Sequence, residues 1–260
     1  MTRYARLTSL FIAFIMSFFS AGCDKKTDPE SHRTKVIIAT SADNPPFTFY
    51  DTSEGKHVIR GYEVDLANLI AKELNIEISF QDMDFSAIMP ALQSGRADFA
   101  MALMTPTPER LKAADFSRVY SQSSPCLLLN EQKEIASDKD LARMRIGVQI
   151  ASAHLELIKE ISETVDGIQI VILNRVGELV QELKANRLDG VLVEETVADS
   201  FLKTTPDLYK ALLKAHAVKG AAAFPKGSKW RQKVDEILKR FEESGVLDTL
   251  KKKWLASNDT

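Results

Sequence analysis

The chain runs 260 residues, 45% of them hydrophobic and 27% charged, with a formal net charge of −2. That length suits one large domain or two modest ones. The near-neutral balance argues against a nucleic-acid binder, which carries a basic domain or stripe. The one dense basic run, Lys251-Lys252-Lys253, reads as the cationic last turn of a helix, where it complements the dipole.

Residues 1–22 differ from everything after them. Arg3 and Arg6 form a positive start, Leu7 to Phe19 is an apolar stretch, and Ser20, Ala21 and Gly22 are small. This is the pattern of a secretory signal peptide, too short and wrongly flanked for a spanning helix. Ser20-Ala21-Gly22-Cys23 resembles a bacterial lipobox, although Ser20 stands where a large aliphatic residue is usual. The resemblance makes Cys23 the lipidated first residue of the mature chain. Residues 23–34 then read as a lipidated Cys and a flexible polar tether. Asp24 directly after Cys23 resembles the signal for retention in the inner membrane of bacteria with two membranes. The other cysteine, Cys126, sits in the apolar run Cys126-Leu127-Leu128-Leu129 and is expected to be a small buried hydrophobe rather than a reactive thiol.

From Lys35 onward short apolar runs alternate with amphipathic helical stretches. Val36 to Ala39 reads as a strand, followed by the turn-rich Ser41 to Pro46. After Gly61, residues Leu66, Ala67, Ile70, Ala71 and Leu74 recur at helical spacing. Ile76 to Phe80 alternates like a strand. Ser86 is expected to cap a short helix ending near Gly95, with Pro90 in its first turn. Phe99 to Ala102 is a buried strand, and Thr107-Pro108-Glu109 opens a helix by cap and proline. Ile146 to Gln149 is a strand, and Ser152 caps a helix carrying Leu155, Ile158 and Ile161. Ile168 to Leu173 is a strand, and Val176, Leu179, Val180 and Leu183 line one helix face. Gly190 to Val193 forms a strand ending at Glu194-Glu195, and amphipathic helices fill Lys229 to Trp254. Strands alternating with helices of this length imply an α/β protein with parallel sheets covered by helices.

Such sheets bind ligands beyond the carboxyl ends of their strands, where helix N-termini also point. Here those places are Ser41 to Pro46, Leu103 to Arg110, Gln149 to His154, and Glu194-Glu195. The set satisfies a zwitterion: Arg110 and helix-end N–H groups suit a carboxylate, and Glu194 suits an ammonium. The sequence has no G-x-S-x-G elbow, no phosphate-loop pattern and no H-E-x-x-H pair, so no cofactor, metal or catalytic residue is expected. His32, His57, His154 and His216 are scattered, and His154 alone falls near the expected cleft, read as an incidental neighbour.

The same loops carry the motifs of a family. Ala39-Thr40-Ser41-Ala42-Asp43-Asn44-Pro45-Pro46-Phe47 and Gly61-Tyr62-Glu63-Val64-Asp65-Leu66-Ala67 resemble the opening of the polar amino-acid-binding proteins of ABC transporters. Phe85 to Asp98, Thr105 to Arg110, Arg145 to Gln149, Leu188 to Glu194, and Ser244-Gly245-Val246 followed by Leu250 and Trp254 match that family in order and spacing. The chain is thus similar to the bacterial extracellular solute-binding proteins of family 3, in lipoprotein form. The resemblance implies the two-lobed, type II periplasmic binding protein fold, each lobe a mostly parallel sheet flanked by helices, with two crossing segments as hinge. Lobe 1 would be residues 35–123 and 219–260, and lobe 2 residues 124–218.

By the same resemblance Arg110 grips the ligand carboxylate, Thr105 bonds the ligand, and Glu194, where Asp is usual, takes the amino group. Phe85 forms an apolar wall, and Ser41, Leu103, Gln149, Ser152 and Ala153 line the cleft. Asn44 replaces the usual stacking aromatic, and Ala151 replaces the usual Gly of the second-lobe turn. The implied partners are an amino acid (arginine or another basic or polar one), an inner-membrane ABC permease, and the membrane itself through the lipid. The implied state is a monomer in the periplasm, anchored to the membrane. Two other readings share the fold: a dehydratase of small cyclic carboxylates, with Glu194 or Glu195 as general acid, and a ligand-sensing surface lipoprotein.

Overall fold

The computed structural model describes residues 34–53, 55, 57–214 and 217–256. The expected signal peptide, Cys23, most of the tether and His216 lie outside them. Among the described residues no helix is long and apolar enough to cross a membrane.

Two five-stranded sheets organise the chain. The first takes β1 (Lys35–Thr40), β5 (Glu77–Asp82), β6 (Phe99–Met104), β7 (Ala114–Ser123) and β13 (Val218–Pro225), in the order β5-β1-β6-β13-β7. The second takes β8 (Pro125–Leu129), β9 (Arg145–Gln149), β10 (Gln169–Leu173), β11 (Gly190–Glu194) and β12 (Tyr209–Leu212), in the order β10-β9-β11-β8-β12. A short sheet of β2 (Asp43–Asn44), β3 (Thr48–Asp51) and β4 (Val58–Arg60) adjoins the first. All residues of β6, β8 and β11 are buried. Their unbroken apolar runs, such as Phe99-Ala-Met-Ala-Leu-Met104, are the mark of strands covered on both faces.

The α/β architecture is as expected, but each sheet is mixed. β1 pairs parallel with β5 and β6, whereas β13 pairs antiparallel with β6 and β7. The second sheet repeats the arrangement, with β9 parallel to β10 and β11, and β8 antiparallel to β11 and β12. The reason is connectivity. Parallel neighbours need a crossover, and α1 (Tyr62–Leu74), α2 (Phe85–Gln93), α4 (Ala153–Ser162) and α5 (Val176–Lys184) supply it. The strands at the other edge instead enter from, or leave for, the other sheet.

The chain passes between sheets twice, from β7 at Ser123 to β8 at Pro125, and from β12 at Leu212 to β13 at Val218. The passages lie side by side, because Val218 pairs with Ser123. Both occupy the same edge of the molecule, so β5 and β10 are the edges farthest from them.

Local chemistry sets the helix ends. Gly61 precedes α1 at φ 137°, and a Cβ there would lie 2.1 Å from the Phe47 carbonyl oxygen. No other residue fits that close approach. α3 (Pro108–Ala113) begins as expected: the Thr107 hydroxyl accepts from the Arg110 backbone N–H, and Pro108 is the first helical residue. α4 likewise starts with the Ser152 hydroxyl accepting from the Leu155 N–H at 3.2 Å. α2 corrects the expected cap. Asp84, not Ser86, precedes it, and Pro90 is its sixth residue rather than in its first turn. Asp84 makes no capping bond, and its carboxylate accepts from Arg175. Pro90 leaves the Ser86 carbonyl without its helical donor, on the side of the helix where Pro90 is exposed.

α6 (Glu195–Thr204), α7 (Lys229–Glu243) and α8 (Val246–Trp254) complete the covering layers. α8 ends in Lys251, Lys252 and Lys253, as the basic run implied. Cys126 is fully buried, and burial pushes its thiol up to about 12. It is inert at neutral pH.

Candidate functional site

Four loops at the carboxyl ends of β1, β6, β9 and β11 face one another across a cleft between the sheets. The cleft is narrow, and part of it opens to solvent. Ser41, Asn44, Phe85, Leu103, Thr105, Arg110, Gln149, Ser152, Ala153 and Glu194 all line it. Asp43, Glu63 and Val176, none of them expected from the sequence, line it too, as does His154, expected only as an incidental neighbour. Asp43 and Glu63 lay inside motifs already quoted. Which residue of a turn points inward depends on pairings made elsewhere in the chain.

Arg110 stands where the two sheets approach. Its Nη1 donates to the Thr105 carbonyl at 2.8 Å, and its Nη2 crosses the cleft to the Ala151 carbonyl at 2.7 Å. The Phe85 ring, the first residue of α2, lies 5.4 Å from the guanidinium carbon. That cation–π contact draws the guanidinium toward the ring. Burial lowers the Arg110 pKa to about 10, so it remains charged at neutral pH. Among the described residues no carboxylate pairs with it. Beside it, α4 points its N-terminus into the cleft. The Ser152 hydroxyl satisfies Leu155 N–H, and the N–H groups of Ala153 and His154 remain for an anion.

The opposite character prevails elsewhere in the cleft. Glu194 ends β11, buried, with its Oε1 3.9 Å from His154 Nδ1. Burial lowers the pKa of His154, against the pull of Glu194, so the imidazole is neutral at pH 7. The Nε2 of His154 and the Thr105 hydroxyl are buried without a hydrogen-bond partner. Glu63 is fully buried, and its carboxylate accepts from Leu103 N–H at 2.6 Å, Thr48 Oγ1 at 2.9 Å and the Tyr120 hydroxyl. Leu103 reaches it by adopting φ 47°, a left-handed conformation inside a strand. Burial holds the Glu63 carboxyl above the usual carboxylate range, and it raises the Tyr120 phenol as well.

Asp43 joins the halves. Its Oδ1 accepts from the Ser41 hydroxyl at 2.7 Å, and its Oδ2 accepts from Gln149 Nε2 at 3.0 Å and Val176 N–H at 2.8 Å. Burial raises its pKa, while Ser41, Val176 and Arg175 pull the other way. Three carboxyl groups, of Asp43, Glu63 and Glu194, therefore share the cleft with one guanidinium.

This arrangement recurs in known proteins. The model of the bacterial extracellular solute-binding proteins, family 3, matches residues 36–257. The chain belongs to that family. It is 37% identical to the arginine-binding extracellular protein ArtP of Bacillus subtilis, over 94% of this chain and 96% of the relative. Among solved structures it resembles the amino acid ABC transporter substrate-binding protein AbpA of Streptococcus pneumoniae bound to L-arginine. That likeness has 31% identity and a TM-score of 0.79, over 84% of this chain and 93% of the other. An ancestral arginine-binding protein bound to arginine gives 32% and 0.79, over 86% and 99%. The family and its two-sheet fold make this chain an extracytoplasmic solute-binding protein of an amino acid ABC transporter, not an enzyme. The dehydratase reading falls with that membership.

Proposed function

We propose that the cleft captures an amino acid with a cationic side chain, arginine foremost, and presents it to a membrane permease. The observation that carries this is the charge arrangement. One guanidinium beside a helix N-terminus suits a carboxylate, and three carboxyl groups suit two positive groups. Arg110 with the Ala153 and His154 N–H groups holds the ligand carboxylate. Glu194 and the unpartnered Thr105 hydroxyl take its ammonium. Asp43 and Glu63 face the side chain, with Ser41, Asn44, Gln149 and Phe85 shaping the space around it.

The arginine named for the Bacillus relative, and bound in the pneumococcal and ancestral structures, supports this ligand. Asn44 removes an aromatic face from a flat guanidinium, which leaves its recognition to the carboxylates. Two lobes, residues 35–123 with 219–260 and residues 124–218, close on ligand about the paired crossings at Ser123 and Val218. A lipid on Cys23 keeps the protein beside its permease at the inner membrane, where it works as a monomer.

A thermal-shift screen of the purified protein, stripped of co-purified ligand by partial unfolding, tests the reading. A ligand of the folded state alone adds about 2.7 kcal/mol at a hundredfold excess over its Kd. Arginine is expected to give the largest rise, above ornithine, citrulline and glutamine. A larger rise with a neutral amino acid overturns the cationic assignment.

A further inference from the structure

At the rim of the cleft farthest from the two chain crossings, a second set of contacts joins the sheets. Arg175 follows β10 and immediately precedes α5, on the second sheet's outer edge. Its Nε donates to Asp84 Oδ1 at 2.8 Å. Its Nη1 and Nη2 donate to the two oxygens of Asp82 at 3.0 and 3.4 Å. Asp82 ends β5, the outermost strand of the first sheet, and Asp84 precedes α2. Arg175, Asp82 and Asp84 are all absent from the lining of the cleft.

We propose that Arg175 is a positioning residue for ligand capture, a latch that holds the closed form shut without touching the ligand. Geometry assigns the role. A rotation about the crossings beside Ser123 and Val218 moves the opposite rim most. Contacts between β5 and the turn after β10 therefore exist only when the sheets are close. An interaction made only in the closed state shifts the open–closed balance by its whole worth. The Asp43 bond to Val176 N–H, the first N–H of α5, closes alongside it and draws the positive end of that helix against a carboxylate.

Asp84 makes no capping bond to α2, and its Oδ1 accepts from Arg175 across the rim. The Arg175 side chain is 25% exposed, and those of Asp82 and Asp84 are 19% and 41% exposed, so salt screens the latch. The ligand-contacting residues set which amino acid binds, and the latch sets how long it stays.

The inference rests on the cleft holding an amino acid, and the test separates the two. Arginine dissociation is followed by chase with labelled ligand in the wild type, Arg175→Ala, Arg175→Lys, Asp84→Asn and the Arg175→Ala/Asp84→Asn double variant. Removing the charge-assisted bonds is expected to speed release roughly tenfold. The ranking of arginine, lysine, ornithine and citrulline stays unchanged. Arg175→Lys restores part of the loss, and the double variant is no faster than Arg175→Ala. High salt speeds release from the wild type more than from Arg175→Ala, because the part-exposed latch is screened more than the buried ligand contacts. Unchanged release in Arg175→Ala overturns the latch, as does an altered ligand ranking, which makes Arg175 a ligand contact. If no amino acid binds the wild type, the functional reading fails, and small-angle scattering still decides the latch. A wild type more compact than Arg175→Ala supports it, and identical curves in every solution overturn it.

Discussion

Arg110 shows how one side chain is prepared for its task. Two carbonyl oxygens and an aromatic face fix its plane, and both carbonyls lie in loops that converge only when the sheets meet. In the proposed complex the ligand carboxylate meets a cation that has already lost its freedom and much of its water. Replacing Arg110 with Ala is expected to weaken arginine binding by at least about 2 kcal/mol, since a buried charge-assisted pair is removed. Far-ultraviolet circular dichroism of the variant is expected to match the wild type, because Arg110 belongs to no hydrophobic cluster. Titration calorimetry that returns an unchanged Kd places the carboxylate elsewhere. Ala151, the carbonyl partner across the cleft, sits at φ 58°. Holding a side-chain-bearing residue there costs about 1 kcal/mol or more, which glycine avoids.

Among the elements, α1 and the loop before it depend on Gly61 most sharply. Its neighbours Pro46 and Phe47 supply the carbonyls that accept from Tyr62 and Glu63 at 2.9 and 3.0 Å, so loop and helix dock through that one close approach. The next residues are Tyr62, which donates to the Tyr120 carbonyl, and Glu63, which anchors Leu103. Gly61→Ala puts a methyl group against the Phe47 carbonyl at a φ that Ala resists. The expected loss is about 3 kcal/mol or more in urea unfolding, with arginine affinity falling as the Glu63 network shifts. A loss under 1 kcal/mol, roughly the ordinary scale for a surface change, contradicts this account. The apolar faces of α4 and α5 were legible from spacing, and the cap of α4 from Ser152. The start of α2 was not. Ser86 and Asp84 are equally good capping residues by type, so spacing could not choose between them, and the Asp84 carboxylate that precedes the helix accepts from an arginine ninety-one residues away.

For the whole molecule, pH tests the charge logic. Asp43 and Glu63 have raised pKa values in the fold, so the native protein binds more protons than the unfolded chain just above 3.8 and 4.5. Their ionisation therefore costs stability as pH rises through the raised values. A bound cation offsets that cost once both are charged. The rise in Tm produced by arginine is thus expected to be largest near neutrality and to shrink as acid protonates Asp43 and Glu63. The rise produced by glutamine is expected to vary less. His154 contributes in the opposite sense. Its lowered pKa gives stability that is fully present above 6.5 and is lost as pH falls from there through the lowered value. A scan from about pH 4 to pH 8 in which arginine and glutamine shift Tm in parallel removes the two carboxylates as side-chain partners.

By itself the sequence determined the alternation of strands and helices, the caps at Thr107 and Ser152, the burial of Cys126 and the family motifs of the cleft loops. These depend on periodicity, backbone donors and residue type, all readable within a few positions. Only the tertiary structure decided that the sheets are mixed, that Asp43 and Glu63 line the cleft, and that Arg175 bridges the far rim. Strand direction follows from where the chain crosses between sheets. The charge state of a carboxyl and the partner of an arginine follow from groups forty to a hundred and thirty residues distant. Spacing along the chain carries no record of such meetings, because folding alone sets the distance between the groups.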